Sequence, residues 1–292
     1  MIEGFPLPNF DFDDDDNLGP DFDSPLAINE SDSYMDEQLC KEFGLLINEP
    51  IRSTGNSTVY SVESTSDGRF YAVKITVHKK QVHDEFEKRA KLPDSPYLVK
   101  TISLNESSTK SLLKMELCEE GDIHDLFFDE TAIWVMIHDI GEALYQIHSH
   151  GWMHLDVSPG NILVTHDAFK LADFGTLTPI DKFEEGSEGA GPYCSPETLA
   201  FPYGDPVGTA TDIFSFGVVL LEAVSHQKAP RGGCNNYVKL RKGEIQLGSA
   251  PYKTEMSNQL MSLINSMLAP SPKDRPTSED ILMHPHVQNP FL

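Results

Sequence analysis

The chain has 292 residues and carries 22 Lys and Arg against 46 Asp and Glu, a formal net charge of −24. That length gives one or two domains with ample material for a core. So acidic a composition excludes nonspecific binding to nucleic acid or to an anionic membrane, both of which need a basic surface.

Four cysteines (Cys40, Cys118, Cys194, Cys234) are scattered without C-x-x-C spacing. They fit a reducing compartment and offer no metal or disulfide framework. No run of about 18 apolar residues exists, so no spanning helix is expected. Met1 to Phe10 lacks the basic start and apolar run of a signal peptide. The expectation is a soluble, intracellular protein.

Half of the excess charge lies in the first 40 residues, which hold 12 acids and no Lys or Arg. Pro6 to Pro25 mixes Asp, Asn, Gly and Pro with isolated Phe residues, a composition that buries too little surface to offset ordering. Residues 1–38 are therefore read as a disordered acidic tail. It acts either as a solubiliser or as a docking arm anchored by Phe10, Phe12 and Phe22, with Ser24-Pro25 as a phosphosite.

From residue 43 the pattern becomes regular. Leu45-Leu46-Ile47, Thr58 to Val62 and Phe70 to Ile75 alternate and are β-branched, with the turn Thr65-Ser66-Asp67-Gly68 between the last two. This predicts an antiparallel meander. Val82, Phe86 and Ala90, four residues apart, predict a helix over 79–92. Leu98–Ser103 and Ser111–Leu117 predict two further strands. Beyond them the period is helical: Ile133, Ile137, Ile140, Leu144 and Ile147 mark one helix, and Leu260, Leu263, Ile264 and Met267 another. Phe214 to Val224 is apolar on nearly every face, which predicts a helix buried all round.

Five motifs fall on this frame in order. Ala72-Val73-Lys74 ends a strand. His154-Leu155-Asp156 follows a long helix, and Asn161 lies five residues beyond Asp156. Asp173-Phe174-Gly175 follows the short strand Phe169–Ala172, and Ser195-Pro196-Glu197 closes a Gly-rich stretch. Each is weak alone; the ordered set is a strong signal. From about residue 43 to 288 the chain resembles the protein kinase superfamily. The resemblance implies an α+β bilobal fold. A small antiparallel-sheet lobe with one helix would span 43–118 and a larger helical lobe 119–288, with ATP and Mg²⁺ in the cleft between them.

Transfer of the γ-phosphoryl group asks the protein for positioning and counter-charge. By resemblance Lys74 holds the α- and β-phosphates. Its carboxylate partner is Glu85 or Glu87. At about 100° per residue Glu85 lies roughly 60° from apolar Val82 and Glu87 roughly 140° away, which favours Glu85. Asp156 accepts or orients the acceptor hydroxyl's proton, and Asn161 and Asp173 offer the oxygen ligands that Mg²⁺ prefers. Ile51, Gly55 and Val59 cover the nucleotide. Met115, Glu116 and Cys118 form the adenine-facing hinge. Ala72 and Leu163 sandwich the ring, unless they are plain core. Asp122 meets the ribose or, alternatively, caps a helix. Glu197 and Arg275 are a structural pair, and Asp212 either braces the catalytic loop or caps the helix that follows it.

Three departures stand out. Arg52, Thr54 and Ser57 occupy the glycine places of the phosphate-covering loop, with Gly55 displaced by one. Nucleotide contact is therefore expected to be weakened. Leu155 replaces the arginine that grips a phosphorylated loop, so activation by loop phosphorylation is not expected. Ser158 stands where a lysine usually contacts the γ-phosphate, which takes a charge away from the transfer step.

Within kinases, His154-Leu155-Asp156-Val157, Asp173 to Thr178, Glu188-Gly189 and the run Pro230, Gly233, Val238 to Ile245 with Tyr237 are similar to the Wee and Myt branch. Ala190 departs from it, since that branch has Asp there. The branch implies a cell-cycle enzyme that phosphorylates the glycine-loop tyrosine, and sometimes the neighbouring threonine, of a cyclin-dependent kinase. The lost Thr at Ala190 fits an acceptor other than plain Ser or Thr. Because the chain ends at Leu292 without an anchor, a soluble Wee-like member is expected, monomeric, with no nucleic-acid or membrane partner, and in the nucleus or cytoplasm. A generic Ser/Thr kinase and a nucleotide-poor pseudokinase binding module are the alternatives. The retained Lys74, Asp156, Asn161 and Asp173 argue against the last.

Overall fold

The computed structural model of the chain describes residues 30–54, 57–124, 126–184 and 191–289. Gly55, Glu188, Gly189, Ala190, the tail phenylalanines and Ser24-Pro25 lie outside them. Helix α1 (Glu30–Glu42) leads into strands β1 (Leu45–Ser53), β2 (Ser57–Ser64) and β3 (Phe70–Thr76), then helix α2 (Lys79–Arg89) and strands β4 (Thr101–Glu106) and β5 (Ser111–Glu116). Helix α3 (Glu130–Ser149) and short strands β6 (Trp152–Met153), β7 (Ile162–Val164), β8 (Phe169–Leu171) and β9 (Thr178–Pro179) follow. Helices α4 (Pro196–Leu199), α5 (Ala210–Ser225), α6 (Asn235–Arg241), α7 (Asn258–Met267), α8 (Ser278–Leu282) and α9 (Pro285–Gln288) complete the order.

The chain divides into two compact units. The sheet unit runs to Asp122 and takes in Leu163–Gly175; the helical unit comprises Ile123–Ile162 and the residues from Thr176 on. In the sheet unit the five strands are antiparallel in the order β1-β2-β3-β5-β4. Val59 faces Lys74, which faces Leu113, and Ser61 faces Ala72, which faces Met115. Alternation therefore gathers Val59, Ala72, Lys74 and Met115 on one face of the sheet.

The other face carries Tyr60, Val62, Val73, Ile75 and Leu112, and these pack with Leu39 and Cys40 of α1 in one buried cluster. This corrects the reading of residues 30–38 as part of a disordered tail. Asp36 is buried, accepts a hydrogen bond from Tyr60 Oη at 3.0 Å and pairs with Lys110 Nζ at 2.7 Å. Composition alone sees an acid-rich segment. The partners that let the acid be buried stand 24 and 74 residues away.

Two further elements differ from the sequence pattern. β4 begins at Thr101 rather than Leu98, because Leu98 forms an isolated parallel bridge with Leu171 and is fully buried there. On α2 the buried stripe is Val82, Glu85 and Arg89, while Ala90 is exposed at the C-cap. That face buries charge because each charge has a partner there.

In the helical unit α5 is buried on nearly every side, as its unbroken apolar sequence dictates. Gly217 lets α7 approach closely: a Cβ there would stand 3.1 Å from Met267 Cβ and 3.2 Å from Leu268. Caps fix helix starts: Asp129 accepts from Ala132 N, Ser257 from Leu260 N, and Thr277 with Asp280 forms a capping box.

Asp36→Ala is expected to destabilise the protein by about 2 to 4 kcal/mol, since it strips Lys110 and Tyr60 of their buried acceptor, and Tyr60→Phe by about 1 kcal/mol. Urea denaturation of the two variants beside the parent measures both; equal stability of all three would mean that α1 does not hold to the sheet.

Candidate active site

In the sheet unit, Lys74 sits in the middle of β3, and α2 presents Glu85 to it. Lys74 Nζ donates to Glu85 Oε2 at 2.8 Å and to Asp173 Oδ2 at 3.2 Å. Glu87 is exposed, with His83 as its neighbour at 3.7 Å. Burial by itself pulls the lysine pKa down, but the charges of Asp173 and Glu85 and their hydrogen bonds outweigh it and raise the pKa. The ammonium is thus held charged. Glu85 is raised by burial and by the Asp173 charge, with Lys74 offsetting part of the effect.

Asp173 adopts a left-handed backbone (φ 62°) and accepts Gly175 N at 3.1 Å on Oδ1. Lys88 Nζ donates to Gly175 O at 2.7 Å. Phe174 is buried under the Arg89 guanidinium, 5.3 Å from the ring centre, and Arg89 also donates to Val99 O and Pro93 O. The Asp-Phe-Gly turn is therefore fixed on both sides by residues of α2.

Ala72 and Cys118 are buried, and Val59, Met115 and Glu116 half-buried. Glu116's carboxylate is engaged by Lys170 Nζ and Lys100 N, each at 2.7 Å. Ile51 lies exposed near the end of β1. At the β1–β2 tip, Thr54 N donates to Ser57 O at 2.8 Å, and Ser57 N to Thr54 Oγ1 at 3.3 Å. Two of the residues standing in glycine places thus tie the hairpin together. Asp122 and Leu163 form an antiparallel bridge and are both half-buried. No helix starts at Asp122; the next N-cap is Asp129.

In the helical unit, Asn161 Nδ2 donates to both the carbonyl and Oδ2 of Asp156, each at 2.8 Å. With Nδ2 so engaged, Asn161 Oδ1 is the atom that could offer an oxygen to a hard cation. Ser158 is half-buried, and its carbonyl accepts Asn161 N at 3.0 Å. Leu155 has a left-handed backbone (φ 66°), costly for a branched residue, with its side chain in the core. The strain is held by Asp212, fully buried, which accepts Leu155 N at 2.7 Å, His154 N at 2.8 Å and His148 Nε2 at 2.9 Å. Of the two readings of Asp212 the brace is the observed one: the N-cap of α5 is Thr209. Glu197 and Arg275 form a buried bidentate pair at 2.7 and 2.9 Å.

Sequence reasoning missed several members. His148 lies in the last turn of α3, where the period marks only apolar residues. Thr176, inside the motif Asp173 to Thr178, donates through Oγ1 to His154 O at 2.8 Å, and Lys88 reaches Gly175 without a local signal.

The sheet unit offers a held ammonium beside two carboxylates, and the helical unit an amide held on Asp156; phosphoryl transfer uses groups of these kinds. A family model described as Protein kinase domain matches residues 49–287, and the chain belongs to the protein kinase family. Helix α1 lies outside the matched span. The Membrane-associated tyrosine- and threonine-specific cdc2-inhibitory kinase of Drosophila melanogaster is 30% identical over 245 residues, covering 79% of this chain and 44% of that protein. The Wee1-like protein kinase of Oryza sativa subsp. japonica is 31% identical over 245 residues, 78% of this chain and 44% of that one. The Mitosis inhibitor protein kinase mik1 of Schizosaccharomyces pombe is 27% identical over 303 residues, 90% and 50% respectively. The chain spans half or less of these relatives. A Wee1-like kinase and a cdc2-inhibitory kinase are among them, in keeping with the resemblance carried by the local motifs. The family uses ATP and a divalent metal. No described helix is long and apolar enough to cross a membrane.

Burial pushes the Asp212 pKa up, but the His148 hydrogen bond, the charges of His148 and His154 and the His154 amide outweigh it, leaving it below the ordinary carboxylate value. The ionised form therefore contributes stability above about pH 4, lost as the pH falls through the depressed folded value. Asp212→Asn is expected to cost about 3 kcal/mol at pH 7, the gap to the parent narrowing below about pH 4. Urea titrations across that range check it; a gap that widens in acid contradicts the assignment.

Proposed function

We propose that the chain is an active Wee-type kinase. It transfers the γ-phosphoryl group of ATP to the glycine-loop tyrosine of a cyclin-dependent kinase, with the neighbouring threonine as a second acceptor, and so inhibits that partner at the G2/M transition. The observation that carries the reading is Lys74 held between Glu85 and Asp173, together with Asn161 locked onto Asp156. A drifting binding module has no need to keep both.

In this reading Lys74 grips the α- and β-phosphates and Glu85 keeps it in place. Val59, Ala72, Met115 and Leu163 meet the adenine, the hinge through Glu116 and Cys118 borders it, and Asp122 meets the ribose. Ile51 and Gly55 cover the nucleotide. Asp173 and Asn161 supply oxygens to Mg²⁺, which when bound neutralises phosphate charge. Asp156 orients the acceptor hydroxyl and takes its proton. Ser158 donates a hydrogen bond without charge. The tyrosine acceptor is supported by the Wee and Myt motifs, by Ala190 in place of threonine, and by relatives whose names describe cdc2-inhibitory and mitosis-inhibiting kinases. By the same resemblance the protein acts in the nucleus or cytoplasm.

Purified protein with Mg-ATP and a kinase-dead cyclin-dependent kinase–cyclin pair is expected to place phosphate on the glycine-loop tyrosine, mapped by mass spectrometry. Asp156→Asn and Lys74→Met each lower transfer by about a hundredfold or more. Phosphate confined to serines assigns a generic Ser/Thr kinase. No transfer to any acceptor, with no stabilisation by millimolar Mg-ATP, assigns a pseudokinase.

A further inference from the structure

Arg241, the last residue of α6, is buried, yet among the described residues no carboxylate lies within ion-pair distance of it. Its charge is met by carbonyl dipoles and ring faces. Nε donates to Cys194 O at 3.0 Å, Nη2 to Pro192 O at 2.9 Å and Nη1 to Tyr237 O at 3.1 Å. The guanidinium lies 3.4 Å from the Tyr237 ring centre and 5.7 Å from that of Phe214.

The same short stretch is held at its other carbonyls. Tyr237 Oη donates to Gly191 O at 3.1 Å, and Ser215 Oγ to Tyr193 O at 2.9 Å. Four consecutive carbonyls, 191–194, are thus captured by three side chains from α5 and α6, two of them by Arg241. Tyr193 Oη is itself fixed on Glu222 Oε2 at 3.0 Å. Burying a guanidinium without a carboxylate is costly unless its donors are met, and here carbonyls of the 191–194 stretch meet two of them.

The location gives this hold a role. Tyr193 and Cys194 line a small pocket together with Leu155, Asp156 and Val157. The held stretch therefore ends beside Asp156, the residue assigned to the acceptor hydroxyl. We propose that Arg241 is a positioning residue for the phosphoacceptor: its fork fixes chain 191–194 beside Asp156 and so sets how a protein hydroxyl is held there, not how nucleotide is bound. A lysine cannot replace it. A single ammonium lacks the planar fork that reaches two carbonyls while stacking on Tyr237. The proposal rests on the kinase reading above.

Two variants, Arg241→Lys and the milder Tyr237→Phe, test it. Arg241→Lys is expected to raise the KM for the cyclin-dependent kinase acceptor about tenfold, while the KM for ATP moves less than about twofold. Tyr237→Phe gives a smaller shift of the same kind. Backbone hydrogen exchange in a peptide spanning 191–197 is expected to quicken about tenfold in Arg241→Lys, while α5 and α7 keep their protection. Equal loss at both substrates, or exchange that quickens throughout α5 and α7, makes Arg241 a general structural residue and overturns the proposal. So does an unchanged acceptor KM. If the parent transfers no phosphate, the kinase reading fails, and the exchange arm, which needs no activity, still decides whether Arg241 fixes the segment.

Discussion

A charge cannot be buried alone, and that constraint organises this chain. Asp36 is buried because Tyr60 and Lys110 meet it, Glu85 because Lys74 does, and Glu197 because Arg275 does. Asp212, the most enclosed, is met by two backbone amides and His148. Each pairing joins separate elements, so satisfying the charges also fixes the fold. Where carboxylates are lacking, as at Arg89 and Arg241, carbonyls and an aromatic ring take their place, and a loop is pinned as the result.

The two faces of the five-stranded sheet divide the labour. Alternation places Lys74, Ala72, Val59 and Met115 on one face and a closed apolar cluster with α1 on the other. A strand buried on both sides cannot slip register without exposing one cluster and burying the wrong residues in the other. Helix α1 therefore contributes to the placement of Lys74 without touching it, although it lies outside the residues the family model matches.

The helical unit solves a different problem. Leu155 must adopt a left-handed backbone beside Asp156, and Asp212 holds it there through two amides. Strain at one residue is offset by hydrogen bonds from another 57 residues away. Leu155 at that place gives the core an apolar side chain.

Much of this was legible in the linear chain. Strands β1 to β3, helices α3, α5 and α7, and the ordered motifs follow from periodicity and residue type, because alternation and helical repeat are local properties. The choice of Glu85 over Glu87 also follows from helical angle, with a spacing to Leu98 similar to that in kinases. Tertiary structure decided the rest. Residues 30–38 read as tail because the burial of Asp36 depends on Tyr60 and Lys110. Leu98 and Val99 read as strand because their partner, Leu171, stands far along the chain. His148 carries no local pattern, and the motifs that contain Thr176 and Arg241 do not show which carbonyls their side chains reach. Sequence determines what a residue can offer; whether a charge is buried, and what it then holds in place, depends on partners that only folding brings near.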